Sequence, residues 1–324
     1  MKRLLLKLTL FFILLLTPLV LLFTAPYEEE FAWHFIEGDC YNHGAWIFDR
    51  ICRNPTPIDI AFIGSSHTIH SFQEKKMEEL LSSNDHLTNL GYCRAGRNFE
   101  YALLKLLLKY KTPRTVVIEV NEDEAKNSHE IFAYIASAGD VLTTPTLINR
   151  DYFLDVYHAA QARLEFFKAK YIFKRETALP DPGLYGYGDA DRKVTEEELE
   201  QNAKAWKNRL ERTEYPSIRK IQMKYPFSYL SKMIKLLNDK NIPIVFVYLP
   251  ESGSKLKAPK YASYYQKSGL LLIPPSTIFD NQENWMDATH FNDKGSAILS
   301  EWMTEQLKKE FCMMPETQKD LSNR

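Results

Sequence analysis

A chain of 324 residues with 45% hydrophobic and 26% charged side chains is long enough for one large domain with insertions, and it carries no low-complexity tract or solenoid repeat. Its 41 basic and 42 acidic residues leave a net charge of −1, so no global basic field draws it to nucleic acid or another polyanion. The four cysteines, Cys40, Cys52, Cys93 and Cys312, fit no zinc spacing. Cys40 and Cys52 are near enough in sequence for a small-loop disulfide, with unpaired, partly buried thiols the equal alternative.

The N-terminus departs from this even composition. Lys2, Arg3 and Lys7 precede an uncharged apolar run from Leu8 to Ala25. About 18 such residues is near the lower length for a helix that crosses a bilayer. A cleaved signal peptide is the competing reading, but Phe23 is large where a small residue is wanted and Pro26 follows Ala25. The expectation is therefore a signal-anchor over 1–25. Positive charge before the span places the remaining chain on the extracytoplasmic side. Residues 26–57 read as an aromatic-rich juxtamembrane segment.

From Ile58 the pattern alternates. Ile58–Gly64 predicts a strand, and the stretch after it, SFQEKKMEELLSS, predicts an amphipathic helix. A second strand is expected over His86–Tyr92, then a helix in NFEYALLKLLLKY that Pro113 stops. Thr115–Val120 is β-branched and apolar, as in a strand covered on both faces. Ile242–Pro250 is a fourth strand, GLLLIPP a fifth, and KGSAILSEWMTEQLKKEF a closing helix. Strands alternating with helices predict an α/β fold, a parallel sheet flanked by helices.

Between about residues 122 and 225 the alternation stops and helical spacings take over. This reads as a helical insertion over the carboxyl edge of the sheet, placed to shape a pocket or serving only as structural elaboration. Within it the stretch GLYGYG is either a sugar-binding surface or a flexible loop. Residues 312–324 form a polar tail.

Ligands of an open parallel sheet bind beyond the carboxyl ends of its strands. There the first strand gives way to Gly64-Ser65-Ser66-His67, and the third is followed by Asn121, whose side-chain amide can donate to an oxyanion. Asp287 and His290, three residues apart, precede the closing helix. A serine needs a base to take its proton, and an imidazole needs a carboxylate to fix its tautomer. His67 and His70 with Glu74 offer only a pair at helical spacing, which disfavours a metal site.

In order and placement these pieces resemble the SGNH (GDSL-like) hydrolase superfamily, over roughly Ile58 to Phe311 outside the insertion. The anchored Gly-Ser-Ser form is most similar to the exported branch that includes teichoic-acid D-alanyl-transfer and alginate-acetylation proteins. The resemblance implies a flavodoxin-like SGNH fold over 58–311, with Ser66 as nucleophile, His290 as base and Asp287 as its orienting acid. It implies an oxyanion hole from the Ser66 amide, Gly91 or Gly96, and Asn121. Ser65 stands for the usual aspartate, Glu119 for a usual glycine, and Arg94 where a glycine is otherwise expected. Arg94, Arg97, Glu119 and His67 are the candidate substrate-binding residues, with an arginine expected to pair with Glu119.

The expected activity is that of a membrane-anchored serine esterase or O-acyltransferase acting on a cell-envelope glycan or another acylated substrate, without cofactor or metal. Transfer would require a multi-span membrane acyltransferase as partner. The rival reading is a non-catalytic scaffold or polysaccharide-binding protein that kept the fold.

Overall fold

The computed structural model describes residues 2–36, 39–81, 84–144, 148–179, 193–211 and 216–313. The chain opens with helix α1 (Lys2–Thr24), which is long and apolar enough to cross a bilayer. Short α2 (Glu29–Ala32) and α3 (Asp39–Cys52) lead into the sheet. Then follow β1 (Ile60–Ile63), α4 (Ser66–Ser71), α5 (Glu74–Leu81), β2 (Leu87–Asn89), α6 (Arg97–Tyr110) and β3 (Thr115–Val120).

The inserted helices are α7 (Phe132–Ile135), α8 (Ala138–Leu142), α9 (Tyr152–Phe167) with a π turn (Lys168–Ile172), α10 (Glu196–Glu211) and α11 (Pro216–Gln222). The alternation resumes with α12 (Lys224–Asp239), β4 (Ile244–Tyr248), α13 (Ala262–Ser268), β5 (Leu270–Leu272), α14 (Ser276–Phe279) and α15 (Asp293–Met313). All five strands are parallel, in the order β2-β1-β3-β4-β5.

That order is the flavodoxin-like one, whose switch point falls between β1 and β3, where successive connections leave in opposite directions and open a crevice. The strands themselves are two-sided. In β1, Ile60 and Phe62 join the core that includes Leu299 and Met303 of α15, while Ala61 and Ile63 join the core built on α6 and α12. In β3, Val117 goes to the first core and Val116, Ile118 and Val120 to the second. Period-two geometry thus makes each strand read as a continuous apolar run.

The insertion packs in two parts. Its α7 packs on α6 and α2, and α9 packs on α7, α8 and α1. Helices α7 and α9 therefore lie against α6, α2 and the end of the apolar helix, where their buried faces find partners. Its later part reaches the loop before α15: the Val194 amide donates to the Trp285 carbonyl at 3.0 Å. The GLYGYG stretch and residues 314–324 of the tail lie outside the described residues.

Of the two readings of Cys52, the unpaired, partly buried thiol holds. Cys52 is a free thiol that burial pushes up to about 12, so no Cys40–Cys52 bridge forms. Cys93 is disulfide-bonded.

Candidate active site

Two residues, Gly64 and Ser65, separate the end of β1 from Ser66. Gly64 follows the strand because nothing larger fits: a Cβ there would collide with Thr68 Oγ1 and the Glu119 carboxylate. Ser65 caps α4, its Oγ accepting from the His67 amide at 3.1 Å. Ser66 opens the helix, half-buried. The register that pairs Ile63 with Ile118 brings the continuation of both strands, Ser66 and Asn121, to the same sheet edge.

The second half of the site is one loop. An antiparallel bridge between Trp285 and Phe291 closes it, and the Met286 amide donates to the His290 carbonyl at 2.9 Å. Asn292 ties the loop to α15, its side chain donating to the Glu283 carbonyl and accepting from the Gly295 amide. Within that loop Asp287 Oδ1 accepts from the amides of Thr289 (2.7 Å) and His290 (2.8 Å). Its Oδ2 lies 2.8 Å from His290 Nδ1. His290 Nε2 lies 2.8 Å from Ser66 Oγ.

Ser66, His290 and Asp287 thus form one hydrogen-bonded chain across residues 224 positions apart in sequence. Nδ1–H donates to Asp287, leaving Nε2 free to accept from the serine hydroxyl. Burial alone would raise the Asp287 carboxyl, but His290 and the two amides outweigh it and hold it far below the usual carboxylate range.

Glu119 has a different role from the one its sequence position suggested. It is buried, and its carboxylate accepts from the Ser65 amide (2.7 Å), Ser65 Oγ (2.7 Å), the Thr68 amide (3.1 Å) and the Thr68 hydroxyl. Burial pushes its pKa up, while His67, with Nδ1 at 4.0 Å, and the bonds from Thr68 and Ser65 bring it below the usual value. Among the described residues no arginine pairs with this carboxylate. Arg97 instead donates to Glu124 and Glu100 and to the Glu119 backbone carbonyl, all buried. Arg94, 73% exposed, pairs with Glu130 and adopts φ +66°, the left-handed conformation that glycine favours. Arg97 and Glu119 therefore bind protein groups rather than offering themselves to a substrate.

The two glycines divide. The Gly91 amide donates to Asn89 Oδ1 at 3.1 Å, which commits it away from an oxyanion. A Cβ on Gly91 would lie 2.9 Å from the Ser65 carbonyl and 2.8 Å from the Ile69 amide, so its service is close approach to the turn. Gly96 caps α6 and lines a small cavity together with Asn121, Arg97 and Glu124. Asn121 is half-buried, and its Oδ1 has no hydrogen-bond partner among the described residues.

Two histidines frame His290. The His67 ring stands edge-on to His290 at 5.8 Å between centroids, and the His70 ring lies at 4.8 Å. Burial, with the His290 ring beside it, pushes His70 down to about 4, so it faces His290 as a neutral ring. Sequence reading weighed His70 only as a metal ligand. Its position four residues after Ser66 on one helix was the available signal that both share a face. Among the described residues no three His, Cys, Asp or Glu side chains converge as a metal ligand set.

Comparison of the chain with family profiles, with curated proteins and with solved structures found no match.

Proposed function

We propose that the protein is an exported, membrane-anchored serine acyl esterase or O-acyltransferase of the SGNH type. The observation that carries this reading is the unbroken Ser66–His290–Asp287 hydrogen-bonded chain at the β1/β3 switch point. Ser66 Oγ attacks the carbonyl carbon of an ester while His290 Nε2 takes its proton. Ionised Asp287 steadies the resulting imidazolium. The carbonyl oxygen becomes an oxyanion facing the Ser66 amide, the Asn121 side-chain amide and the Gly96 turn. Collapse of the tetrahedral intermediate expels the alcohol, which collects the proton from His290. Water or a sugar hydroxyl then resolves the acyl-enzyme by the same steps in reverse.

Location follows from α1. Lys2, Arg3 and Lys7 precede it, which favours a cytoplasmic N-terminus and an extracytoplasmic domain, and a disulfide at Cys93 suits that oxidising side. The substrate class is an acylated cell-envelope glycan or a similar envelope ester. In the transfer case a multi-span membrane acyltransferase supplies the acyl group. A fluorophosphonate probe tests the reading: the full chain in detergent should label at Ser66, and His290→Ala should abolish labelling while the protein stays folded. Absence of labelling in the wild-type chain would refute it.

A further inference from the structure

Helix α9 is turned inside out. Its outward residues Phe153, Leu154, Tyr157, Leu164 and Phe167 recur at the spacing of one helical face, and Tyr171 continues it into the π turn. Phe153 is 79% exposed, Tyr157 61% and Tyr171 52%. Gln161 and Lys168 are the polar residues along this stripe, and Lys168 pairs with Glu165 at its edge. Asp155 and Arg163 sit on the buried face, where Asp155 accepts from Asn149 and Arg163 donates to the Ala159 carbonyl. A helix washed by water shows the opposite arrangement, and a contiguous apolar patch of this kind marks a contact surface.

The position of the patch identifies what covers it. Arg163 Cζ lies over the rings of Phe23, in the last turn of α1, and Tyr27, at 5.1 and 4.8 Å. Tyr27 also packs edge-on against Phe166 at 5.5 Å. Helix α9 is thus clamped to the point where α1 would leave the hydrocarbon. From Arg163 the stripe reaches roughly 12 Å to Tyr171 and 15 Å to Phe153, at about 1.5 Å per residue. A headgroup layer is only about 5–8 Å deep on each side. The whole stripe can touch lipid only if α9 lies along the membrane plane. Its end suits that depth: Ile172 and Phe173 are exposed, and Lys174 and Arg175 follow, placed to reach headgroup phosphates.

We infer that α9 and its π turn lie in the bilayer interface beside α1, with the outward aromatic stripe against lipid. This rests on the reading of α1 as a membrane span and adds a second, in-plane contact that fixes how the domain sits on the membrane.

The test places an environment-sensitive fluorescent amino acid, by codon suppression, at Tyr157, Leu164 or Tyr171 of the full chain, held as single copies in phosphatidylcholine nanodiscs. Phe12 in α1 and Lys267 on α13 serve as the two controls. Shallow doxyl-labelled lipid should quench the three α9 labels and shift their emission to the blue, while aqueous iodide quenches only the Lys267 label. Iodide quenching of the α9 labels without lipid quenching would overturn the inference and leave the stripe to a protein partner. If the Phe12 label stays lipid-quenched in that case, the anchor reading survives; if it does not, the anchor itself has failed.

Discussion

Replacing Glu119 with alanine removes the acceptor of four donors that together set the shape of the turn before Ser66. The two hydroxyls, on Ser65 and Thr68, can rotate toward other acceptors, but the two buried amides cannot. Each unsatisfied buried donor costs about 1–3 kcal/mol, so the two amides set a loss of about 2–6 kcal/mol. Breaking a buried ionic network falls in the same range, about 3–5 kcal/mol. Against a stability of about 5–15 kcal/mol this is a heavy but survivable loss.

Glu119→Gln keeps one oxygen and turns the other acceptor into a donor facing donors, so it should lose less stability. Its catalytic effect should be clear, since a shift of about 1 Å at Ser66 is enough to cost roughly a hundredfold in rate.

The pH dependence gives a second readout. The Glu119 pKa is lowered in the folded protein, so its contribution is present above the unfolded carboxyl value, about 4.3, and is lost as pH falls through the lower folded value. Wild type and Glu119→Gln should therefore differ most near neutrality and converge on acidification. The assay is urea unfolding of the full chain in detergent from pH 7 downward, with aryl-ester turnover measured in parallel. A Glu119→Gln variant with wild-type midpoint and kcat at pH 7 would refute this role for the carboxylate. A stability gap that fails to narrow in acid would refute the ionised state.

Three further outcomes are expected. Ser66→Ala and His290→Ala should each abolish nearly all ester turnover, and the double variant should be scarcely worse than either single, because the residues act as a unit; multiplying losses would separate them. Asn121→Ala should lower kcat by roughly a hundred- to a thousand-fold, about 3–4 kcal/mol, with KM little changed, and an unchanged kcat would remove it from the oxyanion hole. Gly64→Ala should destabilise by about 1–3 kcal/mol or more, read from the unfolding midpoint, since its Cβ would occupy the place of Thr68 Oγ1 and the Glu119 carboxylate.

Element type and the local motifs of the site are legible in the residues alone. Thr115–Val120 is a strand over those same bounds, because a strand buried on both faces must be apolar at every position and no helical period imitates it. The end of β1 and the Asp-x-x-His loop were legible because local residue types mark them: a glycine before two serines, and a carboxylate at fixed spacing from an imidazole. Neither is a long-range fact.

Partner choice among charged residues was a long-range fact, and only the tertiary structure decided it. Glu119 met four donors of the preceding turn rather than an arginine, because the sheet register sets β3 beside β1 and brings those donors to its carboxylate. Arg97 turned to Glu100 and Glu124, which α6 and the loop after β3 carry to it. Gly91 and Gly96 are indistinguishable as letters, and the single bond from Gly91 to Asn89 separates them. The inserted helices were readable one by one from their period. Which face of α9 would be covered was not, because its partner is the end of a helix more than a hundred residues earlier in the chain.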